Sequence, residues 1–279
     1  MQTKIAKIGA GLLLLSVCLM SFSTTAQNAP ANATKAVSPQ EKRANDQAEQ
    51  YFQEALRFEV ATRALPAMRR NWYEVVSKYR LAADLGHAGA MFRISNAYVV
   101  MNDEAQAATW LRRSAQAGST SGQYFLAASI ARNPNNCAEA RTWLERAAAQ
   151  GYAHAMGTLG QYYANGTCGP VDNTKAFVMH NNAAQRGFLP SQPVVAYFYI
   201  NGTGIARSNV NALAWHNIYT KQPPLPEGQV QYLPARSMTF VSDLVGRLTE
   251  TEKSQALELS RRICTQTFAC LQIPAARRP

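Results

Sequence analysis

The chain has 279 residues, 47% of them hydrophobic and only 16% charged, with 28 Lys and Arg against 17 Asp and Glu and a formal net charge of +11. That length can bury a sizeable core. Its basic residues are dispersed in short pairs such as Arg69-Arg70, Arg112-Arg113 and Arg261-Arg262, and no basic-aromatic nucleic-acid motif occurs, so nucleic acid is excluded as an expected partner.

Residues 1–26 read as a secretory signal peptide. Lys4 and Lys7 precede an apolar run from Ile8 to Met20, and Thr24 and Ala26 occupy the −3 and −1 positions of a small-residue cleavage site. Val17 precedes Cys18, where a lipoprotein signal needs a small residue, so soluble export is expected ahead of lipid anchoring. No second long apolar stretch follows. The expectation is a mature chain beginning at Gln27, without a transmembrane span, in the bacterial periplasm.

Residues 27–38, rich in Ala, Asn, Pro and Thr, read as a flexible linker. Ser38-Pro39 then makes a cap and first-turn pair for a helix reaching about Leu65, which Pro66 breaks. A second helix over about Asn71–Leu85 completes an N-terminal capping hairpin, residues 39–86.

From residue 87 to 221 the chain repeats itself. Ala107-Ala-Thr-Trp110, Ala140-Arg-Thr-Trp143, Ala176-Phe-Val-Met179 and Ala212-Leu-Ala-Trp215 recur at intervals of 33, 36 and 36 residues. Small pairs follow at a constant offset, Ser114-Ala115, Ala147-Ala148 and Ala183-Ala184, with Ala82-Ala83 upstream. Each pair leads into a glycine: Gly86, Gly118, Gly151 or Gly187. A helical pattern ending in glycine predicts a left-handed C′ residue; this is helix B. The stretch after each glycine, clearest in Ala155, Leu159 and Tyr163, is helix A, and Asn165-Gly166 and Asn201-Gly202 turn A into B. Such a hairpin cannot bury its apolar face alone, so the fold class is all-α, an α-solenoid of stacked helix-turn-helix repeats. Residues 222–279 form a tail: Pro223-Pro224-Leu225-Pro226 stops the last repeat, and helix returns at about 237–248 and after Thr249. Thr249 and Glu252 have capping-box spacing.

The pattern of Ala, Leu-Gly, Tyr, Gly-x-Gly, Ala-x-x-Trp and Ala-Ala-x-x-Gly resembles the Sel-one-like repeat, a relative of the tetratricopeptide repeat. The best copy runs from Ala155 to Gly187 and contains Leu159-Gly160, Tyr163, Gly166, Gly169, Val171, Asp172, Ala176, Ala183-Ala184 and Gly187. The resemblance covers about residues 79–221. Met179 departs from it by replacing tryptophan, and Pro190 and Pro193 intrude on the last helix A, where they fit its first turn.

Four cysteines survive processing, and in an oxidising compartment their even number points to disulfides; three pairings are open, and free buried thiols are the alternative. The repeat places Cys137 and Cys168 in turns of adjacent repeats, while Cys264 and Cys270 lie together beyond the tail helix. Cys137 with Cys168 and Cys264 with Cys270 are therefore the expected pairs. Cysteine-rich members of the family have a regular pair in every repeat, a pattern absent here.

Catalytic chemistry has little to stand on. His87, His154, His180 and His216 are far apart, without His-x-x-x-His or Cys-x-x-Cys, so no metal is expected. No lysine has serine three residues before it, and Gly118-Ser-Thr-Ser-Gly122 carries Thr120 where a nucleophile elbow needs serine. Neither a catalytic residue nor a cofactor is expected. The resemblance implies a monomeric scaffold that binds a protein partner, as an adaptor in envelope assembly or stress response or as an inhibitor of a secreted enzyme. The alternative is a cell-wall-acting enzyme or peptidoglycan-binding protein of the cysteine-rich repeat type. In such arrays the A helices line the concave side. If Ala155, Leu159 and Tyr163 are packed, then 154, 158, 161 and 165 form the neighbouring stripe. Carried across repeats, that register gives Arg93, Asn96, Phe125, His154, Gln161 and Tyr197 as the candidate partner-binding groove.

Overall fold

Small side chains and left-handed glycines set the spacing of the whole molecule. The computed structural model describes residues 38–221 and 243–270; the expected signal peptide, all but the last residue of the linker, the connection 222–242 and residues 271–279 lie outside the described residues. The described chain is α-helical, and no strand occurs among the described residues. Its longer helices are α1 (Pro39–Ala64), α2 (Trp72–Asp84), α3 (Ala88–Val100), α4 (Glu104–Gln116), α5 (Thr120–Ile130) and α6 (Cys137–Ala149). They continue with α7 (Ala153–Asn165), α8 (Asn173–Gln185), α9 (Ser191–Asn201), α10 (Asn209–Thr220) and α11 (Glu250–Gln266). Each of α1 to α10 packs on the next, and α11 packs on α10, which is the solenoid the period predicts. Among the described residues no helix is long and apolar enough to cross a membrane.

Helices α2, α4, α6 and α8 are B helices, and each ends the same way. Gly86, Gly118, Gly151 and Gly187 have φ of 87°, 96°, 87° and 82°. At the first of these the Gly86 N–H donates to the Ala83 carbonyl at 2.9 Å and the His87 N–H to the Ala82 carbonyl at 3.1 Å; the same two bonds recur at the other three glycines. This is the Schellman pattern, and its acceptors are the small pairs noted in the sequence. Those pairs are buried throughout. One residue pair thus supplies both the terminating carbonyls and the close helix approach.

The B helices α2, α4, α8 and α10 also begin on side-chain caps, whereas Asn136 makes no such bond at α6. Asn71, Asp103, Asp172 and Ser208 accept from the backbone N–H three residues on, at α2, α4, α8 and α10. In the A-to-B turns Gly166 and Gly202 adopt φ of 69° and 68°, as expected, and Asn102 at φ 57° does the same work in the first repeat. Pro190 caps α9 and Pro193 lies in its first turn. The capping box at Thr249 and Glu252 opens α11.

Burial comes as four successive clusters. Tyr163 packs against both the second and third, and Tyr199 and Ile263 against both the third and fourth. Polar side chains tie α4 to its neighbours α3 and α5. Ser114 Oγ donates to the Ala88 carbonyl at 2.8 Å, and Gln123 Nε2 donates to the Ala115 carbonyl at 3.3 Å. At the N-terminal end the buried Glu59 carboxylate of α1 accepts the Tyr79 hydroxyl at 2.5 Å and the Arg63 guanidinium at 2.7 Å. Burial and this carboxylate push the Tyr79 hydroxyl's pKa well above its ordinary value, so the proton stays in the bond.

Both expected disulfides are present, with Cα separations of 5.4 Å for Cys137–Cys168 and 5.0 Å for Cys264–Cys270. The first ties the start of α6 to the α7–α8 turn, where Arg141 stacks over the Tyr163 ring and donates to the Cys168 carbonyl. The second closes a loop that folds back onto the array: the Phe268 N–H donates to the Gln185 carbonyl at 2.8 Å, and Gln192 Nε2 donates to the Ala269 carbonyl at 2.8 Å.

Candidate functional site

The A helices α3, α5 and α7, together with the start of α9, carry a row of aromatic rings that crosses repeat boundaries. Phe92 of α3 stacks on Phe125 of α5 at 5.4 Å, and Phe125 meets its neighbour Tyr124 at 5.2 Å. Tyr124 reaches Tyr152 at 5.4 Å and His154 of α7 at 6.0 Å; His154 then contacts Phe188, just before α9, at 4.8 Å. Phe125 is 47% exposed and His154 is exposed as well, while Phe92, Tyr124, Tyr152 and Phe188 are half-buried. Edge-to-face and offset contacts of this kind hold rings rigidly while leaving one face free. Burial among these rings lowers the pKa of His154 and raises that of Tyr152, so at neutral pH the row carries no charge.

Beside this row lies a pocket of about 160 Å³ lined by Tyr124, Gly157, Thr158, Gln161, Tyr162, His180, Phe188, Pro190 and Ser191. Its shape follows from two glycines of α7. A Cβ on Gly157 would collide with the Phe188 ring, and one on Gly160 would lie 2.6 Å from the His180 ring, so both side chains occupy space that only glycine leaves. His180 is buried and its Nδ1 lies 3.0 Å from Ser191 Oγ. Burial drives its pKa down to about 4, which leaves a neutral imidazole. Ser191 has no exposed surface, and no carboxylate lines the pocket to orient the ring, so this pair is a packing hydrogen bond. Among the described residues no three His, Cys, Asp or Glu side chains gather as metal ligands would.

The six groove residues expected from the register fall at different places on this face. His154 and Phe125 stand in the aromatic row, and Gln161 lines the pocket beside Thr158 of the same stripe. Tyr197 is 42% exposed on α9, outside the residues that line the pocket. Arg93 points its guanidinium to within 3.8 Å of Glu59 and belongs partly to the N-terminal pin; Asn96 is half-buried on α3. Tyr124, Tyr152, Phe188 and Phe92 were not among the six. Their signal is an aromatic ring directly after a stop glycine, at Tyr152 and Phe188, and six residues after one, at Phe92 and Tyr124.

The Sel1 repeat family model matches residues 90–119, 121–152, 153–188 and 194–218, which are the pairs α3–α4, α5–α6, α7–α8 and α9–α10. The chain carries four Sel1 repeats. Among solved structures, c5321, a protective antigen present in uropathogenic Escherichia coli strains and displaying an SLR fold, matches with a TM-score of 0.61 at 20% identity. The match covers 82% of this chain and 54% of that one, so this chain spans about half the length of that neighbour. The likeness shows a shared fold. A Sel1 repeat protein from Oxalobacter formigenes matches at TM-score 0.48 and 19% identity over 74% of this chain and 87% of its own. Immunity protein PA5088 from Pseudomonas aeruginosa matches at TM-score 0.41 and 21% identity over 72% of this chain and 81% of its own. No curated protein matches the chain. Within the Sel1 array the aromatic row belongs to the first three repeats, and the pocket to the junction of the second, third and fourth.

Proposed function

We propose that this chain is a non-catalytic scaffold of the bacterial periplasm that binds a segment of a protein partner along the face of its A helices. The observation that carries this reading is the aromatic row. Rigid, uncharged, partly exposed rings that cross repeat boundaries are the composition of a recognition surface, since aromatic anchors bury large area at low cost in side-chain entropy. The proposed contacts are Phe125, His154, Gln161 and Tyr197, with Arg93 and Asn96 at the N-terminal end of the same face. Two disulfides support an oxidising compartment, where such cross-links persist.

The test is capture from periplasmic extract under oxidising conditions, with the mature chain as bait and Phe125→Ala and the pair Gln161→Ala with Tyr197→Ala as comparisons. A partner retained by the parent and lost by both variants, with unchanged far-UV circular dichroism, is the expected result. Equal retention by all three baits would remove the A-helix face as the binding surface. A partner whose enzyme activity falls on addition of the chain identifies an inhibitor; one bridged to a second protein identifies an adaptor.

A further inference from the structure

The pocket beside the aromatic row has a size, a lining and a position that together specify a ligand. Its volume of about 160 Å³ matches that of the ~150 Å³ protein cavity that accepts benzene. Its walls are the carbon faces of Tyr124, Tyr162, Phe188 and Pro190, with the Thr158 hydroxyl and the Gln161 amide among the lining groups. No charged side chain lines it, and His180 at its base is neutral because burial holds its pKa at about 4.

Its origin lies in one departure from the repeat. Six residues after their stop glycines, the first two repeats carry rings, Phe92 and Tyr124; the third carries Gly157. A side chain at position 157 would collide with the Phe188 ring, which leans over Gly157 in its place, and the pocket opens beside the two.

We infer that this pocket receives one uncharged six-membered aromatic side chain, Phe or Tyr, from the bound partner, which packs among Tyr124, Tyr162 and Phe188 beside the row. The inference rests on the reading of the A-helix face as a protein-binding surface. A ring in that position meets ring edges and faces on two sides. A Tyr hydroxyl would have Thr158 or Gln161 as its partner, whereas Lys, Arg, Asp or Glu would bury a charge opposite no counter-charge, at a large desolvation cost.

The side-chain analogues p-cresol (for Tyr), toluene (for Phe), butylammonium and butyrate test this directly, by titration into the oxidised mature chain with NMR detection of the Thr158 methyl and the Gln161 side-chain amide. The expected result is saturable, low-millimolar binding of p-cresol and toluene, with no saturable shift from either ion. Thr158→Phe, which places a ring in the pocket from within, should weaken p-cresol by about tenfold or more. Absence of saturable p-cresol and toluene binding to the parent, or equal binding of butylammonium, would overturn the inference, and the parent titration decides even where the variant fails to fold. Capture of a partner without aromatic binding would sink the pocket and leave the groove standing; aromatic binding without any captured partner would do the reverse.

Discussion

From α2 to α8 the B helices of this molecule end on one repeated set of contacts, and the A helices share no such set. Trp110 and Trp143 occupy the same B position, and each is overlain by the arginine three residues later, Arg113 at 4.9 Å and Arg146 at 4.6 Å. The small pair, the left-handed glycine and its two hydrogen bonds recur four times. On the A helices, the position six residues after the stop glycine holds Phe92, Tyr124, Gly157 and Pro193 in turn, and the position ten after holds Asn96, Ala128, Gln161 and Tyr197. Stacking needs an identical interface at each joint, so it constrains the B face to repeat itself. Recognition of one partner needs a particular sequence of groups, and under the proposed reading the variation of the A face supplies it.

The sharpest way to break that division is to compare Trp143→Ala with Phe125→Ala. Trp143 is buried in the second cluster, and its truncation should cost about 3–5 kcal/mol. Phe125 is 47% exposed, so its truncation should cost less than about 1 kcal/mol while abolishing partner capture. Urea unfolding followed by far-UV circular dichroism reads both. Similar losses from the two changes would mean that the A face is as structural as the B face.

The same division decides what can be read without coordinates. The solenoid, the stop glycines and the Cys137–Cys168 pair are legible because they obey a period, and a period can be counted; Cys264–Cys270 is legible from short separation, and the cap of α11 from the spacing of Thr249 and Glu252. Phe125, His154 and Gln161 are legible from helical register, since Ala155, Leu159 and Tyr163 fix which way α7 faces. Tyr152 and Phe188 escape that reasoning because each follows a stop glycine, where the Schellman turn sets direction in place of the 3.6-residue helix. Arg93 obeys the register, yet its guanidinium is drawn towards Glu59, a buried acid on α1 that no repeat predicts. The fold-back of the C-terminal loop rests on Gln192 and Ala269, 77 residues apart, and nothing local announces that contact.

The two disulfides should differ in weight because they close loops of different length. In the chain-entropy account, a cross-link spanning 31 residues removes about 3–4 kcal/mol of unfolded-state entropy, and one spanning 6 about 2 kcal/mol. Replacing Cys137 and Cys168 by serine should therefore lower stability more than replacing Cys264 and Cys270. The shorter bridge has the sharper local effect, because it holds the loop whose Ala269 carbonyl receives Gln192. Hydrogen exchange at the start of α9 should rise in the Cys264→Ser, Cys270→Ser chain and stay unchanged in the other. The opposite pattern would detach the C-terminal loop from the pocket's floor.

His180, on α8, gives the pocket a pH signature. Its imidazole has a pKa near 6.5 in the unfolded chain and about 4 in the folded one, so below pH 6.5 the unfolded state takes up the proton first. This contribution is fully present above pH 6.5 and is lost as the pH falls towards 4, on the order of 3 kcal/mol in all. Burial lowers the pKa values of His154 and His216 in the same sense. Unfolding free energies at pH 7 and pH 4.5 should draw closer together in His180→Gln than in the parent; an unchanged gap would mean that the ring is already protonated or solvated in the native array.

The smallest effect separates a glycine needed for its backbone from one needed also for its neighbours. Gly118→Ala forces a side chain into φ 96° with open space around it, so only the left-handed penalty applies, about 1–2 kcal/mol. At Gly187, φ 82° imposes the same penalty, and the added Cβ would lie 2.9 Å from the Phe268 carbonyl oxygen of the C-terminal loop. The excess cost of Gly187→Ala over Gly118→Ala therefore measures the seating of that loop. It should shrink towards zero when Cys264 and Cys270 are both serine, because a released loop can step back from the new methyl group. A persistent excess in the absence of that bridge would show that Phe268 is held by Gln185 and the packing of Ala269 alone, and that the disulfide is not what closes this end of the array.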